Sequence, residues 1–551
     1  MGETSQGYMP IERLYEAQRT IEGTHMFKKT VIASAVMMAM LATSAHAETL
    51  RWTRSADGLT LDPHSQNEGP THALNHQIFD TLVYQDMDVE YQPGLATEWY
   101  VHEDDPKVWV FKIREGVTFH EGQALTADDV VFSLNRARHE HADMRGLLTS
   151  IAEVRAEDDF TVHVETHEPN PLLPNNLTNL FIMSRAWAEE HDVEEPQNFA
   201  AGEETHAVRN ANGTGPFRVV SREPDVRTVL ERNDDYWGID HYPMEISELI
   251  YTPIESAATR VAALLSGEVD LLQETPVQDI ERLANAEGLR NEQGAENRTI
   301  FLGMDVGSAE LRSADTDDNP FADRRVREAI DLAVDQTTIQ RAVMRGNSEP
   351  AGVIAPPFVN GYSEELDEVV PADLERANEL MADAGYGDGF RVTLNCPNDR
   401  YVNDEQICQA VVSMLARIGI TVDLVAQTRS VHFAELAREE YDFYMLGWGV
   451  PTMDSEYIFN YLYHTKDEDR GSWNFTGYSD ERVDELTVDM ASETDTESRN
   501  AMIAEAWEIV ADEILYIPIH HQMLTWSMRD DIDFKVQSEN TPHFKYLRFK
   551  D

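Results

Sequence analysis

Residues 109–137 read WVFKIREGVTFHEGQALTADDVVFSLNRA. An apolar run, glycines at 116 and 122, and then Thr126 three residues before Asp129 give the order strand, turn, capped helix. Val130, Val131, Leu134 and Ala137 recur on one helical face behind that cap, so the helix has a side to bury. Outward along the chain the same alternation returns. Residues 256–266 read as a short helix, Gly267 sits just past its end where a residue without Cβ enters the left-handed region easily, and 269–272 resumes as strand. Asp323 stands at an N-cap position ahead of Val326, Ala329, Ile330 and Ala333 at helical spacing. Helices that repeatedly feed strands predict an α/β protein.

A chain of 551 residues that is 42% hydrophobic has material for more than one domain. Met26-Phe27-Lys28-Lys29, the apolar run 31–42 and Ala45-His46-Ala47 follow the order of a secretory signal, with cleavage expected after Ala47. That run is about a dozen residues, short of the roughly 20 that cross a bilayer, and no later segment qualifies. No Cys follows it to carry a lipid, so the expected location is the periplasm, without an anchor. Residues 1–25 have no signal character and read as an extension from a start placed too early.

The formal charge of −57 arises from 44 basic and 101 acidic residues, and the first 47 residues hold four of each sign, so the excess belongs to the exported part. A surface of that sign excludes nucleic acid as a partner. The acids are spread in short clusters such as Glu103-Asp104-Asp105, Asp317-Asp318 and Asp467-Glu468-Asp469, a global bias with no tail. At about 1 M salt the Debye length falls to roughly 3 Å and self-repulsion is screened, which points to a halophilic bacterium.

The opening stretch also belongs to an ordered set: IFDTLVYQD at 78–86, PGLATEW at 93–99, NGTGPFRVV at 212–220, LERNDDYWG at 230–238, RVAALLSGEVDLL at 260–272, NPFADRRVREAIDLAVD at 319–335 and NELMADAGYGDGF at 378–390. Together these resemble the family 5 extracellular solute-binding proteins, periplasmic receptors of peptide- and nickel-type ABC transporters, over almost all of the chain after residue 47. The resemblance implies a two-lobed α/β binding-protein fold of the cluster C type. Its first lobe is discontinuous, 48–302 and 520–551 with an inserted subdomain at about 85–210, and its second lobe spans 303–519. The apolar runs 300–305 and 516–522 read as the two hinge strands. It further implies a monomer that closes on a small solute or short peptide and delivers it to permease subunits of the inner membrane.

Cys396 and Cys408 are the two cysteines, both in the exported part, and a disulfide is expected; two thiols packed as small apolar groups are the alternative. The bridge would fasten the loop PNDRYVND, 397–404, between a strand at 390–395 and a helix at 405–418 that Asn403 and Gln406 would cap. Dipeptide-binding relatives place an Arg with a Tyr- and Asn-containing stretch before this helix to fix the ligand carboxylate. Arg400 and Tyr401 stand in that place, and a guanidinium offers a charged planar fork. The competing reading pairs Arg400 with Asp399 or Asp404 at the surface. Gly447 to Asp454, GWGVPTMD, resembles the family's Gly-Trp loop, with Trp448 as an apolar wall. Peptide binders carry an Asp three residues after that Trp to meet the ligand's ammonium, and this chain has Pro451. Asp454 is one substitute, unless it caps the helix starting at Ser455. The turn Asn67-Glu68-Gly69-Pro70-Thr71 matches a ligand-touching turn in relatives, which nominates Glu68, Gly69 and Thr71, with a solvated Glu68 as the alternative. His520 and His521 are strand neighbours, so only one can face a cleft.

His72 and His76 share a helical face, and His139-Glu140-His141 with Asp143 is a denser group, but neither completes a metal site. No H-E-x-x-H, G-x-S-x-G or P-loop occurs, and Gly213-Thr214-Gly215-Pro216 lacks the third glycine of a dinucleotide fingerprint. No enzyme activity, cofactor or metal is expected. A non-peptide solute, such as a metal complex, heme or an opine-like acid, and a chaperone-like role on extended polypeptides remain as alternatives.

Overall fold

Two long strands, Leu289–Met304 and Tyr516–Arg529, run antiparallel to each other through the middle of an 11-stranded mixed sheet. The computed structural model describes residues 48–86, 89–467 and 470–550; the expected extension and signal, 1–47, lie outside them. Among the described residues no helix is long and apolar enough to cross a membrane.

Each long strand serves two neighbourhoods. From Arg298 to Met304 the first pairs with Phe443–Gly449, which leads on to Phe390–Pro397 and Ile420–Gln427. At its other end the second pairs with Leu271–Leu272, followed by Glu48–Thr53, Ile246–Tyr251, Arg227–Arg232 and Phe217–Glu223. The second strand is buried over nearly its whole length, as a central strand covered on both faces should be. A second sheet, four antiparallel strands at Ala96–His102, Asp105–Ile113, Thr161–Thr166 and Ile151–Asp158, has its own core around Phe111, Phe119, Leu134 and Val162. The large sheet carries separate cores on its two halves: one around Trp52, Phe217, Tyr251 and Trp526, and others around Phe321, Val392 and Phe443 and around Tyr444, Phe459 and Trp507. This is an α/β architecture built on a mixed sheet.

The register of the two long strands shifts twice near their middle, the second time between Ile300, which faces His520, and Phe301, which faces Pro518. At the first shift Ala295 faces Met523 and Thr299 faces His521, so Glu296, Asn297 and Arg298 oppose the single residue Gln522. Such a bulge interrupts the ladder and re-aims side chains.

Local rules place the short elements. The Asp129 carboxylate accepts from the Thr126 N–H at 2.9 Å at the start of Ala127–Ala137. Ser256 caps Ala257–Ser266, and Gly267 follows with φ +74°. Asp323 accepts from the Arg325 N–H ahead of Arg324–Ala333. The paired glycines 213 and 215 serve packing: a Cβ on either would collide with the Ile78 backbone.

Cys396, near the end of Phe390–Pro397, and Cys408, in helix Asp404–Leu415, form a disulfide. The cap expected from Asn403 and Gln406 is not what starts that helix. Asn403 lies in the left-handed region at φ +56° and its amide donates to the Val343 carbonyl. Asp404 takes the capping task, accepting from the backbone N–H groups of Arg400, Tyr401 and Glu405. An ionised carboxylate accepts several backbone donors at once, which an amide oxygen does less well.

Candidate functional site

The loop between the disulfide-linked strand and helix presents Arg400. Both acids proposed as its surface partners are spent on backbone: Asp404 as above, and Asp399 on the Arg429 N–H at 2.5 Å. Arg400 is partly buried, lies 5.1 Å over the Tyr401 ring, and has no ion-pair partner among the described residues. Burial, with the like charge of Arg298 adding to it, pushes its pKa below the ordinary guanidinium value. The group still ionises at any working pH, so a partly desolvated positive charge is left without a counter-ion.

Arg298 was not anticipated from sequence. The bulge at 296–298 turns it toward the Gly-Trp loop, where it donates to the Gly447 carbonyl at 3.3 Å and pairs with Glu296 at 3.2 Å. Tyr401, itself buried, donates to the same carbonyl at 3.3 Å. Trp448 is buried among Tyr457, Tyr461 and Trp473, with ring centroids 5.5–5.7 Å away, and its Nε1 has no partner. The loop also meets the other side of the molecule: Tyr91 Oη and Asn175 Nδ2 both donate to the Thr452 carbonyl, at 3.0 and 2.8 Å.

The acids singled out from sequence are occupied. Asp454 caps helix Ser455–Ile458, receives both Nη atoms of Arg499 at 2.6 and 2.7 Å, and accepts from Asn360 at 2.9 Å. The geometry is that of the helix cap, with a buried ion pair added. Glu68 caps Gly69–Ile78, accepting from the Thr71 N–H at 2.8 Å and from the Thr71 hydroxyl. Thr71 in turn accepts from the Leu59 N–H at 2.9 Å. Gly69 opens the helix with free space around it.

The histidines divide similarly. His72 and His76 are buried and bonded to different amides, Asn67 and Asn179, and burial holds them at about 4 and about 3. His521 meets Thr299 and Asp367, while both ring nitrogens of the buried His520 lack partners. His139 and His141 come together with Glu195, their ligand atoms within 4.8 Å of one another at the surface; Asp143 is not part of the group.

Residues 90–470 match the model of the bacterial extracellular solute-binding proteins, family 5 Middle. The chain is a family 5 solute-binding protein. This solute-binding protein is similar to the dipeptide-binding protein of Escherichia coli K12, 25% identical over 92% of this chain and 95% of that one. Its fold matches the ABC transporter-associated periplasmic binding protein DppA of Helicobacter pylori in complex with the peptide STSA, TM-score 0.76 at 22% identity, covering 92% and 98% of the two chains. It also matches AgaA of A. tumefacien R10 in complex with agropinic acid, TM-score 0.74 at 23% identity, covering 92% and 99%.

Proposed function

We propose that this solute-binding protein captures a short peptide or a similarly small carboxylate-bearing solute between its lobes and delivers it to the permease subunits of an ABC importer, working in the periplasm after removal of a signal ending at Ala47. The observation that carries the reading is the Arg400 guanidinium, partly buried, next to Arg298 and without an acidic partner among the described residues. A carboxylate placed there would gain charge-assisted hydrogen bonds and relieve the repulsion between the two arginines. Trp448 and its tyrosine neighbours supply an apolar wall beside that charge.

The test is to purify the full chain in high salt without unfolding it and to identify what it retains by native and then denaturing mass spectrometry. A ladder of short peptides is the expected result. A single non-peptide acid would keep Arg400 as the anchor and change the solute class. Retained molecules without an acidic group, together with an unchanged Kd for Arg400→Ala, would overturn the reading.

A further inference from the structure

We propose that Glu539 is the negative pole of this site and receives a protonated amine of the same solute whose carboxylate meets Arg400. The inference rests on the function proposed above for the Arg400 site and adds the second charged group that the solute must carry.

Four carboxylates near the two arginines and the Gly-Trp loop, or nominated with them, already have partners. Glu296 holds Arg298 and Gln522, and Glu274 holds Arg54 and Asn540. Asp454 holds Arg499, and Glu68 is the cap of its own helix. The Oε1 atom of Glu539, by contrast, is buried without any hydrogen-bond partner. Burial alone lifts this carboxyl to about 7, with no neighbouring charge contributing. Glu456 is the competing carboxyl. It too is lifted to about 7, by burial and by the adjacent Asp454, but Arg499 and Arg470 already act on it.

Position supports the assignment. Asn297, in the bulge, donates its N–H to the Ser538 carbonyl at 2.8 Å and accepts from the Val450 N–H at 2.9 Å. One residue therefore separates the 538–539 turn from the Pro451 end of the Gly-Trp loop. Tyr91, bonded to Thr452 in that loop, has its pKa raised chiefly by burial, with the nearby Glu539 and Asp454 carboxylates adding to it. Arg298 and Tyr401 sit at the Gly447 end of the same loop, and Arg400 packs on Tyr401. Four residues of chain span at most about 14 Å, which bounds the distance between the two ends of the loop that the positive and the negative group each adjoin. A buried carboxylate without a partner is costly, and an arriving ammonium offsets that cost.

The experiment is calorimetric titration of the full chain, in high salt, with L-alanyl-L-alanine and with its N-acetylated form, which has no cation. Glu539→Gln keeps the shape and removes an unpartnered charge, so it should fold with an undiminished Tm. It is expected to weaken the dipeptide by about 30-fold or more and to leave the acetylated form unchanged, whereas Arg400→Ala weakens both and Glu456→Gln neither. Equal effects of Glu539→Gln on the two probes, or none on either, overturn the assignment. If wild type binds no dipeptide, the peptide reading fails by itself, and ethylammonium chloride decides Glu539. A rise in Tm over equal sodium chloride that is lost in Glu539→Gln upholds the negative pole, and the same rise in both proteins overturns it.

Discussion

The turn at 67–71 and the loop at 397–403 each offer one charged side chain, and they differ in what that side chain already holds. The Glu68 carboxylate is engaged within three residues of itself, its Oε1 accepting from both the N–H and the hydroxyl of Thr71. The Arg400 guanidinium holds nothing, because Asp399 and Asp404 are consumed by backbone donors. Both matched a ligand-touching position by resemblance. The difference teaches that position nominates a residue, while unmet electrostatic demand separates a side chain already committed to the fold from one still open to a partner.

Asp454 is the extreme case of a spent charge, and breaking it should have the largest effect. Asp454→Asn leaves the buried Arg499 guanidinium without its counter-ion, at a cost of roughly 3–5 kcal/mol, read as a lower midpoint of chemical denaturation in 1 M salt or above. A variant of unchanged stability that loses ligand would move Asp454 to the ligand side of the comparison.

Arg400→Ala is the mirror image. Affinity should fall by about 2–5 kcal/mol, the usual loss when one partner of a desolvated charged contact is removed, while the denaturation midpoint holds or rises because an uncompensated buried charge has gone. Loss of stability at constant Kd would show instead that the guanidinium serves the fold.

The disulfide tests whether the unspent charge depends on how its loop is held. Replacing both Cys396 and Cys408 by Ser should cost up to about 3 kcal/mol of stability by chain entropy. It should also weaken the ligand by less than Arg400→Ala does, since Asp404 still ties the backbone of Arg400 and Tyr401. Equal losses of affinity would mean that the bridge, and not Asp404, sets the position of the guanidinium.

What could be read from sequence follows the range of the forces involved. The caps at Thr126 and Asp323 and the left-handed Gly267 were legible because they depend on residues within one helical turn. The Asn403 cap was misread although it is equally local, because two capping residues stand side by side and Asn403 is drawn off to Val343. Arg298 was not legible: its direction depends on a bulge that exists only when residues 289–304 pair with 516–529, more than two hundred positions away. One signal was available, since a basic residue is scarce where 101 acids face 44 bases. For Glu539 the same statistic works in reverse. One carboxylate among so many carries no mark until the partners of the others have been counted.

The smallest effect belongs to Glu68, and it closes the comparison from the other side. Glu68→Ala removes the acceptor for the Thr71 N–H, and losing a side-chain N-cap costs about 1 kcal/mol. Part of that cost should be recovered in Glu68→Asp or Glu68→Ser, since a shorter side chain can still accept from the first turn. The helix it starts is buried from Thr71 to Ile78 and is held chiefly by packing around Leu74 and Ile78, so the fold survives and the loss is measurable as a modest shift in midpoint. Ligand affinity should not change if the task of Glu68, whose Oε1 holds both Thr71 donors, is the cap of its own helix. If Glu68→Ala lowered affinity tenfold while Glu68→Ser restored stability alone, the charge itself would be in use, and the division between spent and unspent groups would fail at its clearest spent member.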